Sequence, residues 1–227
     1  MLPIRIVCAT RHSEADFHAT SALGRSLAIA YADLGGLELT LFPNGNPGLP
    51  AVYNAAIRAA ADRPAILLFI HDDVHLLDFF WADHLHVALT QFQIVGLVGN
   101  RRRLPRQPGW LFKDEWFNHD DPENLSGLIS HGDAFPAPVR RLGALGAVKT
   151  LDGVFLAAAS HVLIDNQLYF DERFDFYCWD LDFCRQAEAK GITMGTAPIG
   201  VMHESAGHFR TAAWADSFQH YLEKWGA

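Results

Sequence analysis

The sequence predicts an α/β fold with a mostly parallel central sheet. Three observations favour it: short apolar runs alternate with longer segments of helical period, Gly and Pro separate them, and the third run ends in polar residues. Alternation of this kind implies right-handed crossovers between parallel strands. At roughly 150 residues per domain, the 227 residues predict one large domain.

The first three elements have clear boundaries. The β-branched run Ile4–Ala9 predicts a buried strand. Apolar residues then recur at helical spacing from Asp16 to Leu34, and two glycines follow as a stop. Leu37–Phe42 predicts a second strand, which a turn rich in Pro, Gly and Asn ends.

The next elements repeat this alternation. Pro50 stands near the start of an alanine-rich helix that Pro64 terminates. Ala65–Ile70 predicts a third strand, which completes a βαβαβ unit. A helix over Asp78–Phe92 and a strand over Ile94–Val98 follow.

Residues 99–147 interrupt this order. They contain five prolines and show no clear period, which is typical of a binding loop, a lid or a disordered insertion. The later chain predicts a strand over Val154–Ala159, a helix over Asp180–Lys190, a strand over Pro198–His203 and a helix over Thr211–Trp225.

Charge and cysteine content exclude several classes of function. The chain has 26 acidic and 18 basic residues, so it lacks the basic surplus that nucleic-acid binding requires, and we expect no nucleic-acid partner. Three cysteines without CxxC spacing indicate neither a disulfide framework nor a zinc site. With no signal-like or membrane-spanning run, we expect a cytoplasmic protein.

Two acidic clusters and one histidine carry possible chemistry. His71, Asp72 and Asp73 directly follow the third strand, where carboxylates either bind a divalent cation or end the strand in a turn. Asp180 begins a helix after a stretch rich in aromatic residues, so it is either an N-cap or a cleft residue. His203 ends a short apolar strand, as a structural residue or a ligand.

The order of these motifs resembles the family 2 glycosyltransferases of the GT-A fold. The resemblance runs from residue 3 to about 208 and rests on Asp72-Asp73, Leu151–Ala157, Phe170–Phe174 leading into Trp179–Cys184, and Val201-Met202-His203. It implies a three-layer α/β/α, Rossmann-like domain. Residues 1–98 would form the half that binds the nucleotide sugar, residues 99–147 an insertion or lid, and residues 148–227 the acceptor and catalytic half.

The resemblance also implies an activity and a metal site. The chain would transfer a hexosyl group with inversion from a nucleotide-diphosphate donor, a UDP-sugar, to a hydroxyl of a glycan, lipid-linked or protein acceptor. Asp73 and His203 match the residues that hold Mn²⁺ or Mg²⁺, and Asp180 matches the catalytic base. Acid–base and Lewis-acid roles suit these residue types.

The same resemblance assigns the remaining candidate residues. Those for the donor nucleotide are Thr10, Arg11, Asn44, Asn54, His71 and Asp72. Those for the sugar or the acceptor are Asp152, Gly153 and Trp179. The sequence departs from the family pattern at His71, Asn44 and Trp179, where acidic residues are usual, so the nucleotide and the retention of activity stay open.

Two alternative functions remain at this point. The first is a His/Asp metallohydrolase, with candidate ligands His71, Asp72, Asp73, His75, His203 and His208. The second is a glycosyltransferase-like domain without activity that binds a glycan or a protein. The basic run Arg101–Arg103 with Arg106 has two interpretations, a solvated loop face or a contact with a phosphate-bearing acceptor or the inner face of a membrane.

Overall fold

A computed structural model describes residues 1–30, 37–43, 48–132, 137–205 and 209–226. Its elements are, in chain order, β1 (Ile4–Ala9), α1 (Glu14–Thr20), α2 (Ala22–Ala30), β2 (Leu37–Phe42), α3 (Leu49–Ala59), β3 (Ile66–Ile70), β4 (Val74–Leu76), α4 (Trp81–Leu89), β5 (Ile94–Gly96), β6 (Val98–Asn100), β7 (Leu125–His131), β8 (Val139–Gly143), β9 (Thr150–Leu151), β10 (Phe155–Ala159), α5 (Ser160–Asp165), α6 (Trp179–Ala189), β11 (Met194–Thr196), β12 (Val201–His203) and α7 (Ala212–Trp225).

The first sheet has the strand order β11-β5-β10-β3-β1-β2. Strands β1, β2 and β3 are parallel, β10 is antiparallel to both β3 and β5, and β11 is parallel to β5. Five of the six strands therefore run in one direction. The predicted mostly parallel α/β sheet is confirmed.

Helices cover both faces of this sheet. Val7, Leu67 and Phe69 pack with α3, α5, α6 and α7, whereas the alternate residues Ile6 and Leu68 pack with α1, α2 and α4. Side chains alternate between the faces of a strand, so a strand buried on both faces has an uninterrupted apolar sequence. The structure thus has the expected three layers.

A second sheet continues from the first. Its order is β4-β12-β7-β6-β9, with β8 paired to β7, and every pairing except β7 with β12 is antiparallel. Four short connections join the sheets, from β3 to β4, β5 to β6, β9 to β10 and β11 to β12. We call the line of these connections the seam.

Two predicted elements are divided. The helix expected from Asp16 to Leu34 is two helices, because Ser21 is extended and its hydroxyl donates to the carbonyl of Phe17 and accepts from the N–H of Gly24. Residues 31–36 lie outside the described residues. The strand expected over Ile94–Val98 is β5 and β6, which belong to different sheets.

The segment 99–147 is not the loop that its sequence predicts, since it forms most of β6 and all of β7 and β8. A buried carboxylate organises its irregular part: Asp120 accepts hydrogen bonds from Asn100 at 2.8 Å and from Nε of Arg102 at 2.9 Å. Burial alone would raise the pKa of Asp120, but the hydrogen bonds that it accepts have the larger effect. The pKa of Asp120 therefore lies well below its usual range. The segment is thus part of the folded domain.

The basic run is engaged within the chain. Arg101 donates to the carbonyl of Ala147, Arg102 pairs with Asp120, and Arg103 pairs with Glu188 at 3.0 Å. Arg106 pairs with Glu115. Arg102 and Arg106 remain partly exposed, so a contact of this surface with a phosphate-bearing acceptor or a membrane stays a prediction. In the described ranges, no helix has the length and apolar character needed to cross a bilayer.

Candidate active site at the seam

Two connections of the seam and the end of β12 bring the candidate residues together. His71, Asp72 and Asp73 lie between β3 and β4, Asp152 and Gly153 between β9 and β10, and His203 at the end of β12. Because β10 is antiparallel to β3, the start of β10 lies beside the end of β3. Backbone hydrogen bonds from His71 to Val154 at 3.2 Å and from Glu204 to Asp73 at 2.9 Å join these three segments.

His71, Asp73 and His203 form a cluster with the character of a metal site. One ligand atom from each lies within 4.8 Å of the other two. Nε2 of His203 is 3.2 Å from Oδ1 of Asp73, and Nδ1 of His71 is 3.9 Å from the same oxygen. In the described part of the chain, Oδ1 of Asp73, Nε2 of His71 and both ring nitrogens of His203 are buried without a partner in hydrogen-bond geometry.

The pKa values of this cluster follow from these contacts. Burial lowers the pKa of His71. Burial also opposes the charged forms of Asp73 and His203, but their mutual contact is stronger, so the pKa of Asp73 is lowered and that of His203 is raised. Buried oxygen and nitrogen atoms without hydrogen bonds are costly unless they bind a cation. The donor set therefore fits a divalent metal ion.

Asp180 lies in the first turn of α6, close to the connection between β9 and β10 that contains Asp152. Its Oδ2 accepts from the N–H of Gly153 at 3.2 Å and its Oδ1 from the N–H of Leu181 at 2.9 Å. Burial, and then the charge of Asp152, raise the pKa of Asp180 to about 7. At neutral pH, a carboxyl group with this pKa can both accept and release a proton.

Backbone strain and close packing fix the start of α6. Cys178, just before the helix, has a φ of 61°, in the left-handed region that non-glycine residues rarely adopt. Trp179 is 3% exposed, and a Cβ on Gly153 would lie 2.5 Å from its indole. A side chain at position 153 would therefore push α6 and Asp180 away from the connection between β9 and β10.

Two cavities meet at the cluster of His71, Asp73 and His203. The large cleft, of about 1050 Å³, is lined by Thr10, Arg11, Asp72 and other residues at the ends of β1 and β3. The small cavity, of about 210 Å³, is lined by Asp152 and Asp180 among others. His71 and Asp73 line both, so the cluster lies at their boundary.

Aromatic side chains line much of the small cavity. They are Trp110, Phe176, Tyr177, Trp179, Phe209 and Trp214. Nε1 of Trp110 donates to Oδ2 of Asp152 at 2.5 Å, and Oδ1 of Asp152 accepts from the N–H of Val154. These bonds fix the orientation of the Asp152 carboxylate.

The structure places the other candidate donor residues in different surroundings. Thr10 lines the large cleft and donates to Asp72 at 2.5 Å, and Arg11 lines it as an exposed side chain. Asn54 is not in either cavity wall: its amide is bonded to the backbone of Phe170 and to Glu172. We therefore omit Asn54 from the donor site. Asn44 lies outside the described residues.

Sequence reasoning missed His131. It named Trp110, also in the 99–147 segment, only as a residue that could stack on a sugar ring or pack the insertion. His131 ends β7 and lines the small cavity, and its ring centroid is 5.4 Å from that of His203. Its Nδ1 lies 2.9 Å from the carbonyl oxygen of Ser205. No local pattern distinguishes either residue, because only the pairing of β7 with β12 and β6 brings this segment to the cavity.

The six candidate ligands of the metallohydrolase alternative do not all converge in the described part of the chain. His75 contacts Glu204 at 2.8 Å, and Asp72 accepts from Thr10. Only His71, Asp73 and His203 form a ligand-type group in the described part of the chain. His208 lies outside the described residues.

The cysteines are also in the core. Cys8, Cys178 and Cys184 are free and buried, and burial raises the pKa of each thiol. A thiol with a raised pKa is a poor nucleophile at neutral pH. The interpretation of Cys178 and Cys184 as packing residues agrees with this placement.

No protein-family model matches this chain, and no curated protein matches it. Several solved structures are similar. A197 from STIV shares 9% identity with a TM-score of 0.52, covering 90% of this chain and 86% of its own. S. aureus TarS 1-349 shares 12% identity with a TM-score of 0.50, covering 89% and 60%.

GalNAc-T7, crystallised with UDP, GalNAc and Mn²⁺, shares 9% identity with a TM-score of 0.54. The match covers 99% of this chain but 48% of that protein. At these identities, the likeness establishes the fold. The chain has a GT-A, Rossmann-like fold.

Proposed function

We propose that this chain is a glycosyltransferase that moves a sugar from a UDP-sugar to the hydroxyl of a glycan, lipid-linked or protein acceptor, with inversion. One observation carries the proposal: the cluster of His71, Asp73 and His203 lies at the boundary of two cavities, and Asp180 lines the smaller one. Donor binding, support of the leaving group and proton transfer would thus occur along one path.

The large cleft is the proposed nucleotide site. It lies beyond the carboxyl ends of β1 and β3, where open α/β sheets bind ligands. Arg11 is the one Lys or Arg in its described lining. Its charge would attract the phosphates of the donor, and the hydroxyl of Thr10 is held by Asp72 at the same edge.

His71, Asp73 and His203 are the residues that would hold Mn²⁺ or Mg²⁺. When bound, the ion would supply positive charge against the charge that develops on the departing diphosphate. The protein's part is to keep one carboxylate and two imidazoles converged in a half-buried position. Backbone hydrogen bonds from His71 to Val154 and from Glu204 to Asp73 preserve this convergence.

Asp180 is the proposed general base. As the acceptor oxygen forms its bond to the anomeric carbon, the bond to the diphosphate breaks and the hydroxyl proton passes to an Asp180 oxygen. A pKa of about 7 allows this transfer near neutral pH. The N–H groups of Gly153 and Leu181 hold the carboxylate in place.

The similar structures support this proposal through their fold, and GalNAc-T7 was crystallised with UDP, GalNAc and Mn²⁺. They establish neither the donor nor the stereochemistry for this chain. Inversion is part of the proposal, in which Asp180 acts as the base of a single displacement at the anomeric carbon.

Isothermal titration of the protein with UDP tests the proposal. We expect binding with Mn²⁺ that chelation abolishes. Arg11→Gln should weaken binding severalfold, whereas Arg58→Gln, on the exposed surface of α3, should not. If UDP bound with neither Mn²⁺ nor Mg²⁺, the proposed donor site would be refuted. An α-configured product from an α-linked donor would refute inversion.

A further inference from the structure

We infer that the sugar of the donor is an uncharged hexose and that the small cavity rejects a uronic-acid ring. This inference rests on the proposed function and specifies the substrate class of the same site. It depends on the size, position and charge of the small cavity.

Size and position assign a single donor ring to this cavity. Its volume of about 210 Å³ is below the roughly 300–1,000 Å³ of sites for drug-sized ligands. With the nucleotide in the large cleft, the diphosphate would lie at His71 and Asp73, which line both cavities. The group attached beyond the diphosphate is the sugar, so the small cavity receives it.

The charge of this cavity opposes an anionic ring. The carboxyl groups of Asp73, Asp152 and Asp180 line it, and no Lys or Arg does so among the residues described. The segments outside the described ranges contain neither residue type in the sequence. A uronate carboxylate would therefore enter beside Asp152 and Asp180 with no Lys or Arg to pair with it. The charge of an ion at His71, Asp73 and His203 would already be shared by Asp73 and the donor diphosphate.

The nearest arginine in sequence to this wall has other partners. Arg210 follows the wall residue Phe209, but it donates to the carbonyl of Trp116 at 3.1 Å. Its guanidinium also lies 4.5 Å from the centre of the Phe117 ring. Arg210 therefore faces Trp116 and Phe117, and it is not part of the cavity wall.

The polar groups of the cavity suit hydroxyls. Trp110 and Val154 each donate one hydrogen bond to Asp152, which leaves further lone pairs on this carboxylate for hydroxyl donors. When Nδ1–H of His131 donates to the carbonyl of Ser205, Nε2 of the neutral ring is an acceptor. Hydroxyls satisfy these acceptors, whereas a second carboxylate supplies no proton to them.

Donor pairs that differ only at C6 test the inference. With Mn²⁺, titrations would compare UDP-glucose with UDP-glucuronate and UDP-galactose with UDP-galacturonate. For the pair whose hexose binds more tightly, we expect the uronate to bind at least about tenfold more weakly. Uronates that bind as tightly as their hexoses would overturn the inference and leave the proposed function intact, whereas failure of UDP itself to bind would refute the proposed function.

A charge added to the wall gives a second, independent measurement. Phe209 lines only the small cavity of the two and is 40% exposed. Its ring also packs against Phe112 and Trp214, so a matched uncharged replacement controls for lost packing. Phe209→Arg should reduce the discrimination against the uronate severalfold, whereas the uncharged Phe209→Met should retain it. The same hexose-to-uronate ratio in both variants would overturn the electrostatic basis of the inference.

Discussion

The two cavities differ in origin, chemistry and size. The large cleft is built around strand ends of the first sheet and includes the exposed cation Arg11. The small cavity combines residues of the second sheet, α6 and α7, and its walls are carboxylate and aromatic. An ion at His71 and Asp73 would lie between a side suited to phosphate and a side suited to hydroxyls. The boundary between them is therefore the position at which we propose that the reaction occurs.

The largest effect should come from the small cavity. Asp180→Asn removes the proposed base, so we expect the transfer rate to fall by about 10²–10⁴-fold. Binding of UDP in the large cleft should remain within about twofold. Rates from product formation and affinities from titration would be compared with Asp165→Asn, which changes an exposed carboxylate on α5. Unchanged turnover would remove Asp180 from the mechanism.

The boundary itself can be tested through metal binding. His203→Ala removes one of three ligand-type groups, and we expect Mn²⁺ affinity to fall at least about tenfold, as even second-shell losses cost 10–100-fold. His131→Gln changes a neighbouring imidazole that lies outside the ligand group and should leave the affinity nearly unchanged. Titration of free Mn²⁺ by electron paramagnetic resonance measures both. Equal losses would place the metal elsewhere in the cavity.

The choice of ion sharpens the same boundary. Two imidazoles and one carboxylate are a softer donor set than the oxygen ligands that Mg²⁺ prefers. We expect Mn²⁺ to bind about tenfold more tightly than Mg²⁺ in competition titrations. His203→Asp should narrow this preference. An equal affinity of the native protein for both ions would argue against imidazole ligation.

The smallest expected effect is on stability. Because burial raises the folded-state pKa of Asp180 above its unfolded value, its contribution to stability is present in acid and is lost as pH rises towards about 7. Asp180→Asn does not titrate. Relative to the native protein, its melting temperature should therefore rise by roughly 5 °C between pH 4 and pH 8. A constant difference in melting temperature across this range would contradict the raised pKa of Asp180.

The contrast between the cavities also explains what the sequence could predict. The strands β1, β2 and β3 are apolar runs between strong turn signals, so His71, Asp73 and the large cleft could be located. The strand β8 could not be predicted, because Val139, Arg140 and Arg141 are all exposed and their sequence does not alternate between buried and exposed positions. The strand β11 is three residues long, too short for a period.

Residues of the small cavity depend on contacts that are distant in sequence. Trp110 and His131 reach it through strand pairings of the second sheet, which no local pattern encodes. The opposite case is Asn54, whose sequence position matches a donor residue but whose amide bonds to a loop 116 residues away. Local pattern locates strand ends, whereas tertiary pairing decides which side chains face a cavity.

The chain order of the ligand group has a consequence for synthesis. His71 and Asp73 leave the ribosome long before His203, which comes 130 residues after Asp73. At about 5–20 residues per second, the nascent chain carries only two of the three ligand-type groups for several seconds. Tight binding of the ion would therefore indicate a chain in which both sheets have formed and packed together.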